Sequence, residues 1–185
     1  EEYHRLGEQG FFDGRRVELI NGEILEVSPQ SHDHFWSIEG LRELLAEVFP
    51  RSGFWIRTQG PVEANEASEP EPDLAVIRGS FREATRHPST ALLAIEVAKT
   101  SQAIDKNTKA DLYASAKIED YWVLDLDRRE LTVFRKPVQE AASPSGWRYT
   151  LTEVIAESGT VKPLAAGEAT LKIADMLPPV EPPAP

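Results

Sequence analysis

The chain has no cysteine in its 185 residues. Disulfides and thiolate metal centres are thereby excluded, leaving carboxylate, imidazole and carbonyl groups as metal ligands. It also has no apolar run long enough to span a bilayer, which takes roughly 18 or more residues, so no membrane association is expected. Positive charge is scarce: 20 Lys and Arg against 31 Asp and Glu give a net charge of −11. Polyanion binding by the surface as a whole is not expected, although a local basic groove is compatible with an acidic exterior. The first residues, Glu1-Glu2-Tyr3-His4, are neither basic nor followed by an apolar core, so no secretory signal is predicted there. The lack of cysteine is compatible with a reducing compartment, and a cytoplasmic location is the expectation.

What remains is ordinary globular material, 41% hydrophobic and long enough to bury a core. No repeat is visible. One domain is predicted over residues 1–177. Residues 178–185, with five prolines in eight positions, predict a disordered Pro-rich tail. Residues 1–8 suggest a short helix. The clearest local signal is Asn21-Gly22 between Val17, Leu19 and Ile24, Leu25, Val27, a tight hairpin with both turn residues at positive φ. Alternation sets Glu18 on the face opposite Val17 and Leu19. Ser31 reads as an N-cap, followed by Ile38, Leu41, Leu45 and Val48 at helical spacing, which predicts a helix of about 15 residues.

Residues 54–59 and 61–64 read as extended. Strands are predicted at 74–77 and 91–98, joined by a charged connector over 79–90. A helix is predicted from Ser101 to Ala116, with Ile104, Thr108, Leu112 and Ala116 inward and Lys109 at the stripe's edge. Strands at 120–126, 130–136 and 147–153 and a closing helix at 170–177 complete an α/β fold, a mixed β-sheet flanked by helices.

The run Ala91–Ala98 is almost unbroken hydrophobe, the mark of a strand covered on both faces. Yet it contains Glu96. A buried carboxylate is costly unless paired, neutralised or bound to a cation. Asp73 begins the neighbouring strand, after Pro72. The economical reading is that Asp73 and Glu96 share a metal ion. Plainer readings stand beside it. Asp73 could bond its own loop, Glu96 could form a structural ion pair with Lys109, and Glu18 could be a solvated hairpin residue. Asp105 with Lys109 reads as an ordinary i,i+4 pair. His32-Asp33-His34 lacks the further ligands of a transition-metal site, so His34 reads as a helix-start residue near the cleft. Tyr121 and Trp122 read as core, and Asp125 and Asp127 as turn residues.

Pro70-x-Pro72-Asp73, Ile95-Glu96-Val97 with Ser101, and the following helix resemble the PD-(D/E)XK nuclease superfamily. Val17-Glu18-Leu19-Ile20-Asn21-Gly22-Glu23-Ile24, Pro29-x-Ser31-x-x-His34, Asp105-x-x-x-Lys109-x-x-x-Tyr113 and Tyr121-Trp122-Val123-Leu124-Asp125 sharpen the likeness. With them the chain resembles the bacterial "putative restriction endonuclease" family of that superfamily. The resemblance implies a restriction-endonuclease-like fold, hydrolysis of DNA phosphodiesters, and a homodimer. It implies a catalytic set of Glu18, Asp73, Glu96 and Lys109. Asp73, Glu96 and the backbone carbonyl of Val97 would bind Mg or Mn, with His34, Gln59 and Tyr113 in the cleft. The superfamily's lysine stands two residues after the glutamate, where this chain has Ala98. Lys99 is three along the strand from Glu96 and so faces away from it; Lys109 supplies the charge from the next helix. The acidic balance and Ala98 favour a rival reading, an inactive nuclease-fold protein acting as a dimeric interaction module.

Overall fold

A computed structural model of the chain describes residues 1–27, 29–99 and 104–180. Helix α1 (Glu2–Glu8) leads into the hairpin β1 (Val17–Ile20) and β2 (Glu23–Glu26). Asn21 and Gly22 adopt φ of 52° and 82°, the mirror-image turn that Asn-Gly favours. Helix α2 (His32–Val48) follows, its Ser31 side chain accepting the His34 N–H. This hydroxyl satisfies one of the orphan donors at the helix start.

The main sheet has six strands in the order β3-β4-β5-β6-β7-β8. They are β3 (Phe54–Thr58), β4 (Leu74–Arg78), β5 (Leu93–Ala98), β6 (Asp120–Asp125), β7 (Glu130–Gln139) and β8 (Trp147–Ala156). Only β5 and β6 pair in parallel; every other neighbour pair is antiparallel. A parallel pair needs a crossover, here supplied by a π-helical turn (Ile104–Lys109) running into α3 (Ala110–Ser115).

Each sheet face has its own core. Ile38, Leu41 and Leu45 of α2 pack on Leu74, Val76, Leu93, Ile95 and Val97. Ala110, Tyr113 and Ala114 of α3 pack on Ala75, Ala94, Tyr121 and Val123. Strands β5 and β6 are buried along their whole length, as an uninterrupted apolar run requires. Tyr121 and Trp122 are core residues.

Three expectations are corrected. The predicted helix start at Ser101 lies outside the described residues, and its described first turn is π rather than α. The wider turn leaves Ile104 45% exposed while Asp105 and Lys109 are buried, so the α-period stripe fails at its first position. The closing helix is instead a two-residue strand, β10 (Leu171–Lys172), and a 3-10 turn (Ile173–Met176). Strand β10 pairs with β9 (Thr160–Val161), which has no clear sequence signal. Strands β7 and β8 both run past their predicted ends, because each continues the other's ladder as far as the Gln139–Trp147 pair. Most of the expected tail, residues 181–185, lies outside the described residues.

Candidate active site

Sheet register brings the two central carboxylates together. Leu74 pairs with Ile95, so one step further along this antiparallel pair sets Asp73 opposite Glu96. Their odd–even alternation against the two cores places both side chains on the α3 face. A second step sets Pro72 opposite Val97. The N–H and C=O of a strand residue point to the same side, and the Val97 N–H points toward β4, donating to Asp73 Oδ2 at 2.9 Å. The Val97 carbonyl therefore also faces this end of β4, where Pro72 has no N–H to offer it. The proline leaves a backbone oxygen available beside the two carboxylates.

Asp73 is held by three donors. Oδ2 accepts from His34 Nε2 at 2.9 Å as well as from Val97, and Oδ1 accepts from Gln59 Nε2 at 3.2 Å. Burial by itself would raise the Asp73 pKa. The hydrogen bond and charge of His34, then the Val97 amide and Gln59, outweigh burial and keep the carboxyl below its ordinary range. Gln59 sits at φ 47°, a left-handed conformation uncommon outside glycine.

Glu96 accepts from Lys109 Nζ at 3.0 Å and from the Tyr113 hydroxyl at 2.7 Å. Both bonds fall on Oε1, leaving Oε2 outside them. Lys109 also reaches Glu18 Oε2 at 3.0 Å and Asp105 Oδ1 at 3.8 Å. These five ionisable residues, Glu18, Asp73, Glu96, Asp105 and Lys109, are only 3–8% exposed. Three carboxylates thus share one ammonium. Burial, opposed by Lys109 and reinforced by Asp105, Asp73 and Glu18, pushes the Glu96 pKa well up. Burial would lower the Lys109 pKa, but Glu96, Glu18 and Asp105 raise it above the usual lysine range. Tyr113, buried beside Glu96, is likewise pushed up and stays a donor.

A cavity of about 340 Å³ opens over this cluster, lined by Glu18, Asp73, Glu96, Val97, Asp105 and Lys109 among others. His34 also lines it. Gln59 and Tyr113 do not; they brace Asp73 and Glu96 from behind. Glu18 shares the buried face of its strand with Ile20, and the hairpin is fastened by Gly22 N–H to Ala67 O at 2.7 Å, Asn21 N–H to Ser68 Oγ at 2.9 Å and Glu69 N–H to Leu19 O at 2.7 Å. Lys99 is bonded to Asp33 of α2 at 2.9 Å, at the rim of the cavity, while Lys109 holds Glu96.

Sequence reasoning underweighted Asp105 and missed Glu71. The signal for Asp105 was available, since an inward Lys109 brings its i,i+4 neighbour with it. Glu71 lies between two prolines, lines the cavity and meets Arg16 at 3.4 Å. Burial raises its pKa, with Arg16 opposing.

The donor set fits a hard cation in chemistry: two carboxylates and a carbonyl oxygen, beside a surplus of negative charge. Among the described residues no group of three or more His, Asp or Glu side chains is arranged to hold a metal. A Mg²⁺-type site needs only one or two carboxylates, because the ion keeps several waters.

A family model described as "Uma2: Putative restriction endonuclease" matches residues 1–166. A solved structure described as a putative nuclease belonging to DUF820, from Anabaena variabilis ATCC 29413, superposes with a TM-score of 0.68 at 20% identity. The match covers 88% of this chain and 89% of that one. At that identity the likeness carries the fold: a mixed six-stranded sheet flanked by helices, shared with a nuclease-like neighbour. No curated protein matches the chain.

Proposed function

The chain belongs to the Uma2 "Putative restriction endonuclease" family, and on that premise we propose that it is a metal-dependent endonuclease hydrolysing phosphodiester bonds of DNA. The observation that carries this reading is the convergence of Asp73, Glu96, the Val97 carbonyl and the Lys109 ammonium on one cavity.

Mg²⁺ or Mn²⁺, bound by Asp73, Glu96 and the Val97 carbonyl, would supply an activated water and a polarised scissile phosphate. The chain's own groups prepare that site. His34, Gln59 and the Val97 amide keep Asp73 ionised and fix its plane. Tyr113 and Lys109 pin Oε1 of Glu96, so Oε2 has one orientation. Lys109, held by Glu18, presents positive charge where negative charge develops on the phosphate, and it acts in a buried site where a charge is strongly felt. Cutting both strands of a duplex needs two such sites of opposite polarity, which a homodimer supplies. Among the described residues no helix is long and apolar enough to cross a membrane, and with DNA as substrate the reading places the enzyme in the cytoplasm.

The test is cleavage of duplex DNA and of RNA in parallel, with Mg²⁺, with Mn²⁺ and with EDTA, by wild type and Asp73→Asn. Metal-dependent DNA cleavage by wild type and none by the variant is expected. Equal cleavage by both proteins, or none of either polymer at low salt, overturns the reading.

A further inference from the structure

The acidic balance of the chain reverses locally in places, residues 78–87 among them. This stretch carries three arginines and a histidine against a single glutamate, in a chain of net charge −11. This connector folds over the outer strand β3 and forms a basic aromatic cluster there. Phe81 lies against Trp55, with ring centroids 6.1 Å apart and planes only 9° from parallel. The Arg57 guanidinium sits 5.8 Å from the Trp55 ring centre and that of Arg82 5.1 Å from the Phe81 ring centre. Arg57 also donates to His87 Nδ1 at 2.8 Å. The side chains thus run Arg57, Trp55, Phe81, Arg82, and the two guanidinium groups are each held against an aromatic ring rather than loose in solvent.

Two features set the cluster apart from finished core. Phe81 is 58% exposed although it stacks on Trp55. The Trp55 Nε1 and Arg57 Nε donors have no hydrogen-bond partner among the described residues, which is costly for buried donors. A shallow cavity of about 530 Å³ opens here, lined by Trp55, Arg57, Phe81, Arg86 and His87 among others.

The cluster is also aligned with the active site. Gln59 pairs with Asp73, Arg57 with Ala75 and Trp55 with Ile77. Trp55, Arg57 and Gln59 alternate to the same sheet face as Asp73 and Glu96. Strand rise puts Arg57 about 7 Å and Trp55 about 14 Å down the strand from Gln59. A nucleotide repeat is of the same order as these steps along the strand.

We propose that Trp55, Phe81 and the arginines around them bind the nucleic-acid strand beside the scissile bond, with an unpaired base stacked on Phe81 and phosphates on Arg57, Arg82 and Arg86. The inference rests on the nuclease reading and narrows its substrate class. A base inside a duplex has both faces occupied, so the ring selects a single-stranded or flared strand. Base–aromatic stacking is tolerant of sequence, and the cluster contributes strand type rather than sequence specificity.

The test is binding, measured in EDTA so that it does not depend on cleavage. Fluorescence anisotropy compares a labelled single-stranded oligodeoxynucleotide with its duplex, using the full chain. Wild type is expected to prefer the single strand. Phe81→Ala, at an exposed position that leaves the fold intact, should weaken single-strand binding roughly 5- to 100-fold, and Phe81→Trp should restore it. Arg82→Ala with Arg86→Ala should weaken binding and flatten its salt dependence. Unchanged single-strand affinity in Phe81→Ala overturns the proposal, even if wild type cuts DNA with metal. Equal loss of single-strand and duplex binding also overturns it, since that marks a charge effect alone. Phe81-dependent single-strand binding by a protein that never cleaves keeps this proposal and sinks the nuclease reading instead.

Discussion

Lys109 is the residue on which the buried charges of the site depend. It is shared by Glu18, Glu96 and Asp105, and removing it leaves three carboxylates in low dielectric without their cation. Lys109→Met should therefore cost roughly 3–5 kcal/mol of stability, read as a lower urea midpoint at unchanged m. Cleavage should fall as well. A variant as stable as wild type would show that the ammonium is not holding the cluster. Glu96 behaves in the opposite sense. Its folded pKa is raised, so its contribution to stability is fully present below the unfolded value, about 4.3, and is lost as pH rises through the folded pKa. Glu96→Gln removes that loss and keeps Glu18 and Asp105 on Lys109. It should stabilise the protein by roughly 0.5–2 kcal/mol at pH 8, with the gain shrinking toward pH 4, while abolishing cleavage. Thermal unfolding across pH checks this, and a destabilised variant at pH 8 would refute it. At this scale the sequence spoke clearly where a rule was broken. Glu96 stood out because it interrupts an apolar run, and Asp73 because it follows a proline at a strand start. Gln59 and Tyr113 act through contacts made from behind, and nothing in local spacing separates bracing from lining.

The hairpin β1–β2 is the element that brings Glu18 to Lys109, and it belongs to no larger sheet. A lone hairpin is marginal in water, so its placement rests on contacts outside it, those with residues 67–69 among them. Ser68 is fully buried and accepts the Asn21 N–H. Ser68→Ala leaves that amide without its acceptor, at a cost of about 1–3 kcal/mol. Faster hydrogen exchange confined to the hairpin and a drop in cleavage are expected. Exchange spread evenly over β4–β6 would show that the anchor is not local. The hairpin itself was legible, because Asn-Gly dictates its turn chemistry. Its docking was not, because residues 61–70 carry no periodicity and make only isolated bridges. The π-helical turn was illegible for a related reason: reading it at the α period puts Ile104 inward, and only packing against the sheet selects Asp105 and Lys109 instead.

For the molecule as a whole, proton and cation compete for the same surplus charge. The raised pKa of Glu96 means that acid keeps it protonated, while the depressed pKa of Asp73 keeps that group ionised to lower pH. Asp73 contributes stability that is present above its unfolded value of about 3.9 and lost as pH falls through its lower folded pKa. Mn²⁺ at about a hundred times its Kd should stabilise the fold by roughly 2.7 kcal/mol, a Tm rise of several degrees. The rise should be larger at pH 8 than at pH 5 and absent in Asp73→Asn. No rise at any pH with millimolar metal would remove the cation from the site. The overall architecture was readable from the order of apolar runs, since a buried strand, a helix and another buried strand force a crossover. The ends of β7 and β8 and the small β9–β10 pair were set by long-range pairing, which no short window records.

The bond from Lys109 to Glu18 joins residues 91 positions apart, and this separation has a kinetic consequence. Closing so long a loop is entropically unfavourable until intervening structure has shortened it. The central strands β4–β6 and the crossover must therefore assemble before the hairpin can dock, and the ammonium meets its last carboxylate late in refolding. Until then Lys109 is paired with Glu96 and Asp105 alone. The late-docking hairpin makes the site a timer: any competence to cleave should return with the slowest refolding phase, after most secondary structure has already formed.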